Sequence, residues 1–117
     1  MTVAPAPLAP PQARLLSPPA ERWDALTDAA EAVSVLAART ADQAMPNWDE
    51  LTSEAAPWRI ERAERDLSDL SAVMRAGLTA LLAVKAHGAD PRAAAAALLD
   101  EFAEALEALC ALLRPVA

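Results

Sequence analysis

Few side chains here are of the kinds that perform chemistry. The chain has one imidazole, His87, and one thiol, Cys110. A general base or a metal ligand needs partners at defined spacing, and only Asp90 is near His87 in sequence. His87 falls where a helix should end. A cation is favoured there by the helix dipole and the last carbonyls, so its expected role is structural. Cys110 sits among Leu and Ala with Glu107 nearby. A reactive thiolate needs an electropositive site, so Cys110 reads as a small buried hydrophobe. No catalytic, cofactor-binding or metal-ligating residue is assigned on this basis, and no cofactor is implied.

Carboxylates are the abundant chemical group. Asp100, Glu104 and Glu107 are spaced four and three apart, and Glu101 adjoins them. A di-metal carboxylate bundle would add Glu-x-x-His pairs, and the sequence has none. The stripe Asp100, Glu101, Glu104, Glu107 is therefore a solvated face or a face for a basic partner. Arg59, Arg62 and Arg65 alternate with Glu61, Glu64 and Asp66. They are expected to pair along one helix surface, at a few tenths of a kcal/mol each, or to meet the acidic stripe. There is no Gly-rich loop to cradle phosphate.

The frame that positions these groups is small. The chain has 117 residues and 12.3 kDa, room for one domain that buries roughly 65% of its unfolded surface. Hydrophobic residues are 55% and charged residues 23%, which is globular composition. Gly is 2, Pro is 10 and aromatics are 3%. Abundant Ala and Leu with few β-branched residues argue against a sandwich or barrel. A single Cys excludes a disulfide framework within the chain.

The formal charge is −7. Residues 21–57 carry eight acids against two bases, and 88–117 carry five against two. An acidic chain is repelled by phosphate backbones and anionic lipid. No run reaches the ~18–20 consecutive apolar residues of a membrane span. The N-terminus lacks a basic n-region. The expectation is a cytoplasmic protein without direct nucleic-acid or membrane binding.

Residues 1–19 hold six prolines and read as a flexible, Pro-rich arm. Pro7-Leu8-Ala9-Pro10 is formally a PxxP ligand motif, though such matches arise by chance in Ala/Pro-rich tails. The remainder, 20–114, reads as one helical domain with helices over about 20–44, 48–55, 57–87 and 91–113. In the first, Trp23, Leu26, Ala30, Val33, Ala37 and Thr40 form one stripe, widened by Val35 and Leu36. Asn47 should cap the short second helix. The third has the clearest seam: Ile60, Ala63, Leu67, Leu70, Met74, Gly77, Leu81 and Val84. Gly77 marks either a close helix crossing or a bend. His87-Gly88-Ala89-Asp90-Pro91 is a stop and restart, with Gly88 suited to a left-handed cap. Leu99, Phe102, Leu106, Leu109 and Leu113 form the seam of the last helix.

Trp23-Asp24-Ala25-Leu26-Thr27 recurs as Trp48-Asp49-Glu50-Leu51-Thr52. The echo reads as two similar helix starts rather than as a duplicated binding motif. Trp48-x-x-Leu51 followed by Trp58-Arg59 loosely resembles short helical proteins carried by phages. It spans only residues 48–59 and identifies no family.

The expected fold is all-α: a small antiparallel bundle of three main helices and one short helix. The third helix outruns the first, so the 57–113 hairpin is expected to contact a second copy or a larger protein. The candidate apolar interface is Leu67, Leu70, Met74, Leu81, Leu99, Phe102, Leu106 and Leu109. The functional expectation is a non-catalytic protein–protein interaction module acting as adaptor, regulatory subunit or inhibitor. One alternative is an acidic inhibitor, encoded by a phage or mobile element, that occupies the basic groove of a nucleic-acid-binding protein. The other is a small helical enzyme or ligand carrier.

Overall fold

The structure is a computed structural model and describes residues 17–39 and 45–114. Of the arm expected over 1–19, residues 1–16 lie outside the described residues, as does Thr40, whereas Ser17, Pro18 and Pro19 belong to the start of α1. Four helices follow in order: α1 (Pro18–Leu36), α2 (Trp48–Thr52), α3 (Pro57–Ala86) and α4 (Arg92–Leu113). No strand occurs among the described residues. The fold is a small all-α bundle.

α1 starts two residues earlier than the sequence suggests. Ser17 accepts a hydrogen bond from the Ala20 amide at 3.3 Å, and Pro18 and Pro19 occupy the first turn. Proline costs nothing there, because those amides have no intrahelical partner. α1 also stops at Leu36 rather than near residue 44. Ala38 takes a left-handed φ of 57°. The Ala38 amide donates to the Val35 carbonyl and the Arg39 amide to the Ser34 carbonyl. That is the glycine-type helix stop made with alanine, which is why the residue types gave no warning of it.

α2 is shorter than expected. It is held by a reciprocal capping box between Asn47 and Glu50. α3 ends where Gly88 adopts φ 86°, with the Gly88 amide on Lys85 and the Ala89 amide on Val84. Pro91 serves as the N-cap of α4, and Asp90 accepts from the Arg92 amide at 3.0 Å. This turn makes α3 and α4 an antiparallel hairpin. Gly77 is the close crossing: a Cβ there would lie 2.6 Å from Leu98 Cδ2.

α1 lies against both arms of the hairpin. The Arg39–Asp100 pair, at 3.2 Å, ties the chain just past α1 to the first half of α4. Residues 83–90 around the hairpin turn are all exposed. α1 therefore runs antiparallel to α4 and stops short of the turn. Its Trp23, Leu26, Ala30, Val33 and Leu36 join Ala63, Leu67, Met74 and Leu81 of α3 and Ala95, Phe102, Leu109 and Leu113 of α4 in one core. Val35, expected to widen the α1 stripe, instead faces solvent at 72% exposure. The Trp echo also acquires a physical role. Trp23 and Trp48 are both buried, with ring centroids 5.6 Å apart. The Trp23 indole N–H donates to the Pro46 carbonyl at 2.8 Å. Trp23 sits more than a turn inside α1, so only Trp48 marks a helix start.

α3 spans about 45 Å and α1 about 28 Å at 1.5 Å per residue. By length and composition α3 contains a window apolar enough to cross a membrane, of which 22% is buried. The charged Arg75 and Lys85 keep that window from being a continuous apolar run.

Candidate functional site

Five of the eight positions read from sequence as an apolar interface are spent on the protein's own core. Leu67, Met74, Leu81, Phe102 and Leu109 are buried. Leu70, Leu99 and Leu106 are half-buried and pack against that core. The reason is geometric: α1 covers the seam of the hairpin, so a/d positions face inward. The large apolar side chains that the hairpin leaves to solvent include Trp58, two residues off the seam and one on it. Val73 is 55% exposed, Leu82 50% and Val84 38%. Val73 and Leu82 lie off the α3 seam read from the sequence, and Val84 was assigned to the seam itself.

Between α3 and α4 runs an open groove of about 440 Å³. Its floor is Leu70, Val73, Met74, Leu98, Phe102 and Leu109. No α1 or α2 residue lines it. Its edges carry Asp66 and Asp69 from α3 and Glu101 from α4, with no base. None of the three is in an ion pair. The two ion pairs among the described residues are Arg39–Asp100 and Arg92–Asp90. Arg62 and Arg65 lie one turn earlier on α3, make no ion pair with these acids and do not line the groove.

The acidic stripe of α4 is thus divided. Asp100 meets Arg39 just past α1, Glu101 lines the groove, and Glu104 and Glu107 stand exposed. The expected pairing of Arg59 with nearby acids is replaced by a helix-end contact. Its guanidinium donates to the Leu112 carbonyl at 3.4 Å, near the negative end of α4. It also lies 5.1 Å from the centre of the exposed Trp58 ring.

A second depression, about 600 Å³, lies between α1, α4 and the segment Met45–Asn47. Asp24, Asp28 and Glu31 edge it.

His87 is the C-cap of α3, where its Nδ1–H donates to the Ala83 carbonyl at 2.8 Å. Burial pushes the Cys110 thiol above its ordinary pKa, with Glu107 adding to the rise and Arg114 opposing it. The thiol is therefore protonated at neutral pH. Two contacts hold the Asp90 carboxyl down at about 2: the Arg92 side chain first, then the Arg92 amide. That pair is fully exposed and belongs to the turn. No three metal-capable side chains converge among the described residues. No family model matches the chain, and neither a curated protein nor a solved structure matches it.

Proposed function

We propose that this chain is a non-catalytic protein–protein interaction module. The observation that carries the proposal is the set of apolar side chains left exposed on α3: Val73 and Val84 on the face of the half-buried Leu70, and Leu82 on the opposite face. Exposed apolar side chains beside the open α3–α4 groove are the kind of surface that another protein would cover. The module acts as an adaptor, regulatory subunit or inhibitor by burying one or both of these faces.

The test is a double variant, L82D with V84D. Both side chains are exposed, so circular dichroism should keep its helical signal. Sedimentation at tens of micromolar and capture on the tagged chain should show association that survives high salt in the wild type. The variant should lose it, because a buried carboxylate is costly. A strictly monomeric wild type that captures nothing resistant to salt would reject the reading.

A second reading rests on the exposed Glu101, Glu104 and Glu107, none of which is in an ion pair among the described residues. Such a surface could imitate phosphate charge and fill the basic groove of a nucleic-acid-binding protein. Reversing these three charges to Lys should then abolish capture. The captured protein should also leave in high salt, because exposed charges are screened.

A further inference from the structure

We infer that the α3–α4 groove is a docking site for a basic amphipathic helix, which would occupy one side of the hairpin as α1 occupies the other. The inference deepens the interaction reading and rests on it.

Length comes first. The lining residues run from Asp66 to Met74 on α3 and from Leu98 to Leu109 on α4. At 1.5 Å per residue this is about 12–16 Å, two to three helical turns. An amphipathic helix anchors over that distance with apolar residues at i, i+3 or i+4, and i+7.

The floor supplies the apolar contact. Leu70, Val73, Met74, Leu98, Phe102 and Leu109 are joined by no polar floor group. Val73, at 55% exposure, is the floor residue with most to gain from being covered.

Charge then selects the occupant. Carboxylates stand on both edges, Asp66 and Asp69 on one and Glu101 on the other. Each is without an ion-pair partner, and no base lines the groove. A helix laid in the groove with Lys or Arg beside its apolar stripe meets acids on both flanks. An acidic helix meets like charge on both. A second copy of this chain brings a net charge of −7 to the same place. Complementary potentials raise the encounter rate and suppress wrong partners.

The experiment uses the full chain and three synthetic peptides of about 16 residues. One has Leu at i, i+4 and i+7 spacing with Lys elsewhere. The second replaces Lys with Glu, and the third scrambles the Leu/Lys order. Binding is read by calorimetry and by amide chemical shifts. The Leu/Lys peptide should bind one to one and shift residues 66–74 and 98–109. The Leu/Glu and scrambled peptides should bind at least about tenfold more weakly, a difference of about 1.4 kcal/mol. Two variants divide the contributions. D66N/D69N/E101Q should weaken the Leu/Lys peptide about tenfold at low salt and less at high salt. V73D should weaken it at any salt, with the helical signal retained.

Equal binding of the scrambled peptide, or indifference to V73D, would mean charge attraction alone and overturn the proposal. So would shifts confined to Asp24–Glu31, or a self-dimer whose dissociation moves the groove resonances. If the peptide fails while the L82D/V84D variant still loses a salt-resistant association, the groove assignment falls and the interaction reading stands. If that association is also missing, both fall.

Discussion

The two sides of the α3–α4 hairpin are built from the same repeat of apolar residues, yet they meet different fates. On one side α1 lays Trp23, Leu26, Ala30 and Val33 onto the hairpin, and the joint surface is buried. On the other side Leu70, Val73 and Leu98 are left beside an open groove edged by Asp66, Asp69 and Glu101. The difference shows how burial and exposure divide between neighbouring positions of one helix. Seam residues hold the fold. Residues one step around the helix, such as Val73, contribute little to it and stay exposed.

Replacing a core residue on the α1 side should give the largest effect. Trp23 is buried, lies 5.6 Å from Trp48 and donates to the Pro46 carbonyl. Trp23→Ala should cost about 3–5 kcal/mol in urea unfolding, by lost burial and a cavity. A loss under about 1 kcal/mol would show that α1 is not integral to the fold.

Between the two arms, Gly77 is the next most sensitive point. Gly77→Leu should cost about 2–3 kcal/mol, because Leu98 already fills the space a side chain needs. Gly77→Ala should lie within about 1 kcal/mol of wild type. Its gain in helix propensity is offset by turning the Leu98 side chain, whose δ carbons are the atoms in the way.

The ends of α1 and α3 offer a matched pair. Ala38 and Gly88 hold the same left-handed position in the same hydrogen-bond pattern. Ala38→Gly should raise stability by about 0.5–1 kcal/mol, and Gly88→Ala should lower it by about 1 kcal/mol. Thermal unfolding of both variants checks the pair. Shifts of the same sign would break the equivalence.

Smallest of all should be changes on exposed surface. Leu82→Lys should alter stability by no more than about 0.5 kcal/mol, even where it removes association. The acid limb is similarly slight. Asp90 titrates at about 2 when folded, against an ordinary 3.8. A depressed carboxyl stabilises fully above its unfolded pKa and loses that contribution as pH falls toward its folded pKa. Asp90→Asn should therefore remove a weak pH dependence between about pH 4 and pH 2, lowering stability slightly at neutral pH and leaving it unchanged below about pH 2. The pair is fully exposed, so a steep acid transition there would implicate other carboxylates.

The sequence by itself determined the all-α class, the α3 seam and the hairpin turn. Period and punctuation are local: Gly88 needs no neighbour to take a positive φ, and Asn47 with Glu50 carries its own capping box. The candidate surface was less legible. Burial of Leu67, Met74 and Phe102 depends on α1 packing over the hairpin, and α1 ends at an alanine in a glycine's conformation. No residue type announced that stop. Tertiary structure alone decided it, together with the Arg39–Asp100 pair beyond it and the meeting of Trp23 with Trp48. It also decided that Glu101 faces the groove while Asp100 faces Arg39. Adjacent residues on a helix point about 100° apart, and only the packing of neighbouring helices says what each direction meets.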